Sequence, residues 1–195
     1  MNNPSRGFTL GELLLVMAIL ATIILVFIPS AIAMHERAAI GAAAGEIRGV
    51  FALARGQAIS RGRNVGVKFL RIGGEWQYAF YIDGNDNGIR NAEIVSGVDP
   101  LLRPYETVLR GTDAGWIGLP AMAIPNPTDS GVIEPNASPI RFGTSTICAF
   151  SPLGSATSGS IFITGGPHTA AALVVNGPTA RIRLVRLVGG RWLKQ

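Results

Sequence analysis

The sequence contains very few of the residues on which most metal and enzyme sites depend. It has one cysteine, Cys148, and two histidines, His35 and His168, so it lacks the paired ligands of a zinc site. A single cysteine also excludes an intrachain disulfide. Neither the Gly-Lys-Ser/Thr of a phosphate loop nor the Gly-x-Ser-x-Gly of a nucleophile elbow occurs. Together with the N-terminal segment described next, these absences argue against an enzyme and against a bound cofactor.

Charge is missing from one long segment, because no charged residue lies between Leu13 and Ala33. At about 1.5 Å per residue, such a helix can cross the roughly 30 Å hydrocarbon core of a bilayer. Glu12 immediately precedes this apolar run. A carboxylate is costly to bury in lipid, so its position indicates a function and a cationic partner. A cleaved secretory signal would have a shorter apolar stretch. An ordinary membrane anchor would explain the length but not Glu12.

The charges on either side of the apolar run predict its orientation. Arg6 and the chain amine precede the run without any acid, whereas His35, Glu36 and Arg37, which nearly cancel, follow it. The positive-inside rule then favours a cytoplasmic N-terminus, with the rest of the chain outside the inner membrane.

The apolar helix is expected to continue beyond the membrane as an amphipathic helix. Gly62 predicts that it ends near Ser60 and Arg61. Its apolar face would pack on the protein's own sheet, or its membrane-proximal half would contact neighbouring helices in a filament. The residues of this face are spaced alternately by four and three positions: Ile40, Ala44, Ile47, Phe51, Ala54 and Ala58.

The remaining chain is predicted to be rich in β-strands. Hydrophobic residues make up 48% of the chain and charged residues 15%, with 25 glycines, which favours a folded, loop-rich domain. Alternating apolar residues on either side of Gly73-Gly74 predict a β-hairpin. Residues 96–138 are predicted to form long loops with one or two short strands. Further strands are expected at 139–143, 146–150, 159–164, 171–176 and 180–188.

One polar loop is similar to the first half of an EF-hand calcium loop. Asp83, Asn85 and Asn87 offer oxygen ligands at alternate positions, and a glycine follows. The pattern then fails, because Ile94 occupies the twelfth position, Glu93 lies one residue early, and no second helix is expected. The alternative is a polar hairpin loop, since Asn, Asp and Gly are the usual turn residues. If calcium binds, we expect Asp83, Asn85, Asn87 and Glu93 to be its ligands.

The C-terminal segment from Thr179 onward is basic and contains no acid. In an extended strand Arg181 and Arg183 would share one face, and such a row can follow phosphates with salt-sensitive binding. Alternatively, the row is a solvated face that protects a sheet edge, or it pairs with acids on a partner subunit. The cations of the segment are Arg181, Arg183, Arg186, Arg191 and Lys194.

Two parts of the sequence resemble a known family. Arg6-Gly7-Phe8-Thr9-Leu10-x-Glu12-Leu13 looks like the class III leader of type IV pilins and type II secretion pseudopilins. The segments Ser158–Thr164, Ala171–Val175 and Ala180–Arg183 resemble the GspH/FimT group of minor pseudopilins, in which a Gly-Arg-x-Arg element ends the domain. Ala180 replaces that glycine, but both arginines stay in register.

The resemblance implies a processed N-terminus. A prepilin peptidase would cut between Gly7 and Phe8 and methylate Phe8, so that Glu12 becomes the fifth residue of the mature chain. The Phe8 amine of an incoming subunit would then meet Glu12 of its neighbour, and a charge pair within lipid can fix the register. Pro29 matches a proline of many pilins and can kink the helix. Gly11 departs from the larger apolar residue usual in the family, although the cut site stays intact.

The same resemblance implies a pilin-like α+β fold, in which a long N-terminal helix packs on antiparallel β-sheets. We expect a leader peptide at residues 1–7 and a transmembrane, polymerising helix at 8–33. The amphipathic half of that helix would occupy 34–62, and a β-rich globular domain would occupy 63–195. The protein would then cross the bacterial inner membrane once, with its globular domain in the periplasm.

The function that the resemblance implies is a minor pseudopilin of a type II secretion system. Its partners would be the prepilin peptidase, other major and minor pseudopilins and the inner-membrane assembly platform. The alternative is a type IV pilus minor pilin, similar to FimT, that binds DNA for uptake through Arg181, Arg183 and Arg186.

Overall fold

The computed structural model describes residues 9–108, 116–166 and 169–194, and within these ranges it contains two helices and twelve strands. A single 3₁₀ turn at Gly177–Thr179 precedes the last hairpin. In chain order the helices and strands are α1 (Leu10–Arg61), β1 (Val65–Ile72), β2 (Glu75–Ile82), α2 (Asn91–Ser96), β3 (Leu101–Thr107), β4 (Trp116–Ile117), β5 (Ile124–Pro125), β6 (Val132–Ile133), β7 (Ile140–Arg141), β8 (Ile147–Phe150), β9 (Gly159–Gly166), β10 (Thr169–Asn176), β11 (Arg181–Val188) and β12 (Arg191–Lys194).

Helix α1 changes its surroundings along its length. Up to Ile32 every side chain that the structure describes is exposed, whereas all six residues of the predicted apolar face are buried. The helix ends at Arg61 because Gly62 adopts the left-handed conformation, with φ +64°, and its N–H group bonds the carbonyl of Ile59. Both the predicted apolar face and the predicted end of the helix are therefore confirmed.

The first antiparallel sheet, called sheet 1, has the strand order β3-β2-β1-β8. Strands β1 and β2 form the predicted hairpin, in which Val65 pairs with Ile82. The chain turns at Gly73 and Gly74, which both have positive φ. Because successive side chains of a strand point to opposite faces, the alternating apolar residues of this hairpin all reach the core beneath α1.

The second antiparallel sheet, called sheet 2, has the order β12-β11-β10-β9-β4, and β7 also pairs with β9. Strand β10 is apolar without alternation because it is covered on both faces. Leu173 and Val175 face the core that contains α1. On the opposite face Val174 joins a second core, which the hairpin of β5 and β6 covers with Ile124 and Ile133.

Phe51 lies where α1 meets both sheets. Its buried ring is 6.0 Å from Phe69 of β1 and 5.5 Å from Phe150 of β8, measured between ring centroids. It is also 6.1 Å from Phe142, which follows β7 of sheet 2. Buried aromatic pairs at these distances are favourable. The second half of α1 is thus packed on antiparallel sheets, which confirms the predicted α+β fold class.

Three parts of the structure differ from the predictions. The sequence predicts one or two short strands in 96–138, whereas the described part of this segment contains four strands, β3 to β6. Pro104 is tolerated in β3 because this strand forms an edge of sheet 1. The C-terminus continues beyond the last predicted strand, turns at Gly189 and Gly190, and pairs β12 with β11. Helix α2 follows the polar loop at Asp83, where no second helix is predicted.

Candidate functional site

Glu12 is held at the start of α1 by a capping box with Thr9. The backbone N–H of Thr9 donates to Glu12 Oε2 at 2.8 Å, and the Thr9 hydroxyl donates to the same oxygen at 3.0 Å. In return, the N–H of Glu12 donates to Thr9 Oγ1 at 3.3 Å. Such a box satisfies backbone donors that the first turn of a helix would otherwise leave unbonded. Glu12 therefore has a local structural role, for which the Thr-x-x-Glu spacing is the sequence signal.

The capping box leaves Glu12 able to accept a further cation. Both bonds from Thr9 end on Oε2, and a carboxylate has about four acceptor sites on its two oxygens. The side chain is exposed, and the predicted processing residues Gly7 and Phe8 lie outside the described ranges. At the position of Pro29 helix α1 continues without a break.

The first part of α1 presents a wide apolar surface. Its large apolar side chains between Leu10 and Ile32 are 46% to 77% exposed. Within residues 9–108, 116–166 and 169–194, α1 is the one helix long and apolar enough to cross a membrane. The globular part of the structure does not cover this surface, so it is available to lipid or to other helices.

The polar loop after β2 is organised around the buried carboxylate of Asp83. Its Oδ2 accepts hydrogen bonds from Asn64 Nδ2 at 2.8 Å and from the N–H of Gly88 at 2.7 Å. Its Oδ1 accepts from the N–H of Asn85 at 3.2 Å. Burial acts to raise the pKa of Asp83, but these donors outweigh it and hold the pKa below its ordinary value.

A second buried carboxylate, that of Asp99, closes the other side of this loop. Its two oxygens accept from the N–H groups of Gly84 and Arg90, both at 3.1 Å. Residue 84 must be glycine because a Cβ there would overlap the carbonyl oxygen of Val98. Sequence reasoning missed Asp99, since it lies beyond the loop pattern that drew attention to Asp83.

Three of the predicted calcium ligands, Asp83, Asn85 and Asn87, lie in one loop, and Glu93 lies in the short helix that follows it. Hydrogen bonds connect these residues to each other, to the backbone and to Asn64. Asn87 Nδ2 donates to Glu93 Oε1 at 2.8 Å, and the N–H of Asn87 donates to Asn85 Oδ1 at 3.4 Å. Glu93 belongs to α2, a helix of only six residues that is too short to show an apolar periodicity. The described ranges contain no group of three or more His, Cys, Asp or Glu that could hold a metal. Calcium at Asp83 and its three neighbours stays a prediction, and the cation would have to displace these donors.

The C-terminal arginines lie on two different faces of β11. Arg181 and Arg183 share one face, as the period of a strand predicts, and Arg186 lies on the other. Leu184, on the same face as Arg186, packs in the core with α1. Arg186 accordingly reaches the helix, where its Nη2 donates to the carbonyl of Arg37 at 3.2 Å. The three arginines predicted to bind DNA therefore do not form one continuous surface.

Arg183 lines a polar cleft of about 460 Å³ together with Arg141 of β7. The cleft lies between sheet 2 and the loop at 126–129. Asp129 of this loop adds one acidic side chain to the lining of the cleft. Arg141 comes close to Arg183 because β7 pairs with β9, which in turn pairs with β10 beside β11. Sequence reasoning missed Arg141 because no local pattern connects strands so distant in the chain.

Comparison with known families decides the identity of the chain. The family model described as type II transport protein GspH matches residues 43–179, which is more than half of the sequence. The chain belongs to the GspH family. No curated protein and no solved structure matches it.

Membership of the GspH family gives the chain a pseudopilin-like role in type II secretion, in association with other pseudopilins. GspH proteins are structural pseudopilins rather than enzymes. The exposed apolar part of α1 fits a GspH protein that crosses a membrane once. The GspH match begins in the second half of α1 and ends before β11, so the roles of Glu12 and Arg181 must be argued from their own geometry.

Proposed function

We propose that this chain is a minor pseudopilin that is made as an inner-membrane precursor and assembles through α1 into a periplasmic pseudopilus. In this proposal a prepilin peptidase cuts between Gly7 and Phe8 and methylates Phe8. The supporting observation is the continuity of α1, which runs from an exposed apolar end into a face buried against both sheets. So large an apolar surface requires lipid or other helices to cover it.

Glu12 sets the register between subunits in this proposal. Thr9 fixes the carboxylate at the first turn of α1, and the carboxylate keeps acceptor capacity for the Phe8 amine of a neighbouring subunit. Within lipid a paired charge is strongly favoured over an isolated one. Pro29 lacks a backbone donor and offers the helix a place to bend as subunits pack. The inner-membrane assembly platform and the other major and minor pseudopilins are the expected partners.

The proposal is tested by cross-linking the helices in cells that contain the prepilin peptidase and the other pseudopilins. A cysteine at Val16, which is exposed on α1, would report contact with a cysteine in a neighbouring pseudopilin helix. Cys148 is fully buried and should not interfere. We expect Glu12→Gln to abolish the cross-link, because the cation of the neighbour loses its partner, while cleavage after Gly7 continues.

Glu36→Gln is the matched control, since it removes one acid from the same helix beyond the apolar run. It should leave the cross-link intact. A cross-link that survives Glu12→Gln at wild-type yield would refute the role of Glu12 in assembly.

DNA binding is a second candidate function, and the cleft shared by Arg141 and Arg183 is the observation that favours it. Full-length protein in a neutral detergent would be titrated with duplex DNA over a salt series. Because each phosphate contact contributes about 0.9 to the slope of log K against log salt, Arg181→Ala with Arg183→Ala should lower the slope by roughly two. Arg61→Ala, at the exposed end of α1, is the control. An unchanged slope in the double variant would exclude this function.

A further inference from the structure

A second cavity, which we call the junction cavity, lies where α1 meets the ends of the last three strands of sheet 2. Its volume is about 480 Å³. Two of its lining residues, Arg186 and Val188, lie on the other face of β11 from the row of Arg181 and Arg183, and the cavity shares no lining residue with the polar cleft. The residues that line it are Arg37, Ile40, Thr169, Ala170, Arg186, Leu187, Val188, Leu193 and Lys194.

Two polar groups in the junction cavity are buried without a hydrogen-bond partner among the described residues. They are Nε of Arg186 and Oγ1 of Thr169. Arg186 is already fixed in place, because its Nη2 donates to the carbonyl of Arg37 and its guanidinium passes 3.9 Å from where a Cβ of Gly41 would lie. Burying an N–H group of a cationic side chain without a hydrogen-bond acceptor costs free energy. A bound anion would supply that acceptor.

The charges around the junction cavity all have the same sign. Among the described residues Arg37, Arg186 and Lys194 line it, and no carboxylate does. Within the described part of the chain none of these three cations forms an ion pair shorter than 4.0 Å. Glu36, the acid next to Arg37 on α1, is not among the lining residues. The cavity therefore attracts an anion.

The position of the junction cavity along α1 places it next to the membrane. Arg37 follows Ala33, the last residue of the predicted transmembrane helix, by four residues, or about 6 Å of helix. The headgroup layer on each side of a bilayer is about 5–7 Å thick. If residues 8–33 of this helix span the hydrocarbon core, Arg37 therefore lies at the depth of the lipid phosphates.

We propose that the junction cavity binds the phosphate of an anionic phospholipid, with Arg186 Nε and Thr169 Oγ1 as donors and with Arg37 and Lys194 as surrounding cations. The inference depends on the proposed membrane insertion of α1. Phosphate chemistry alone would also fit a free phosphate ion. The apolar rim favours the lipid, because Val188 and Leu193 are 57% and 53% exposed and can contact its glycerol and acyl groups.

Binding is measured on full-length protein in neutral detergent micelles by native mass spectrometry, with phosphatidylglycerol and phosphatidylcholine as probes. The wild type should retain phosphatidylglycerol in preference to phosphatidylcholine. Arg186→Gln should weaken phosphatidylglycerol binding about tenfold, since it removes a charged donor from the site. Arg181→Gln, an exposed arginine on the other face of the same strand, is the matched control and should bind as the wild type does.

Competition experiments separate the sources of the phosphate. Inorganic phosphate and duplex DNA, each added in equimolar amount to the lipid, should not displace phosphatidylglycerol. Displacement by inorganic phosphate would make the ligand a free anion, and displacement by DNA would make the cavity part of a nucleic-acid surface. Equal retention of the two lipids, or equal losses in Arg186→Gln and Arg181→Gln, would also overturn the proposal.

A second variant keeps the test decisive if Arg186→Gln does not fold, as judged by circular dichroism. Arg37→Gln with Lys194→Gln removes two exposed cations and keeps the carbonyl to which Arg186 is bonded. It should lose the preference for phosphatidylglycerol, and a retained preference would refute the site.

The assembly proposal is tested separately, because a cross-link at Val16 with no lipid preference contradicts only the lipid site. Lipid preference without a cross-link contradicts only assembly.

Discussion

Replacing Phe51 by alanine tests whether α1 joins the two sheets of the domain. Phe51 is fully buried and contacts three aromatic rings, two from sheet 1 and one that follows β7 of sheet 2. Its removal would leave a cavity between three elements that hold one another in place. Neither sheet can fill this space without losing its own contacts with α1, so we expect little collapse around the site.

The expected cost is large for this reason. Phe→Ala substitutions in cores cost about 3–5 kcal/mol, and each buried aromatic pair adds roughly 0.5–1.5 kcal/mol beyond the burial of area. Because Phe51 takes part in three such pairs, we expect a loss of about 4–5 kcal/mol in the free energy of unfolding.

The assay is urea denaturation of the full-length chain in a neutral detergent, followed by tryptophan fluorescence. Trp76 is a suitable reporter because it lies in sheet 1 and its Nε1 donates to the carbonyl of Ile117 in sheet 2 at 3.1 Å. Leu53→Ala is the control on the same helix, where a side chain that is 39% exposed should cost only about 1 kcal/mol. Equal losses in the two variants would refute the packing of α1 between the sheets.

Three further predictions concern the globular part of the chain. Burial acts to raise the pKa of Asp83, but the donors from Asn64 and three backbone N–H groups lower it below the ordinary value, so the ionised form stabilises the fold above about pH 4. This contribution is lost as the pH falls through the lowered pKa, so urea denaturation at neutral and acidic pH should show a larger loss in the wild type than in Asp83→Asn. Trp192→Phe removes the 2.7 Å bond to the carbonyl of Pro125 and should cost about 1 kcal/mol in urea denaturation. Burial raises the pKa of the Cys148 thiol, so a thiol reagent at neutral pH should label it only after unfolding, and fast labelling of the folded chain would contradict its burial.

Local patterns predicted those elements that depend on neighbouring residues in the chain. The spacing of Ile47, Phe51 and Ala54 predicted the buried face of α1, and Gly62 predicted its end. Gly73-Gly74 predicted the turn of the hairpin, and in the structure both glycines adopt a positive φ that other residues disfavour. These features need only helix or strand periodicity and turn chemistry, which a sequence contains directly.

Features created by distant strand pairing could not be predicted. The cleft of Arg141 and Arg183 exists only because β7, β9, β10 and β11 lie side by side. The sequence showed the basic row, but not that Arg186 faces α1 and bonds the carbonyl of Arg37. Helix α2 was missed because its six residues are fixed mainly by the left-handed Gly97 at its C-terminal end and by Asp99, which accepts a hydrogen bond from the N–H of Arg90 just before it.

The N-terminal residue of the protein recovered from cells with an active prepilin peptidase is the most direct test of assembly through α1. Mass spectrometry of the intact chain and of its N-terminal peptide would determine that residue. The proposal predicts a chain that begins at methylated Phe8, which brings a cationic amine to the turn of α1 that holds Glu12. A chain that still begins at Met1 and carries no methyl group would contradict the proposal.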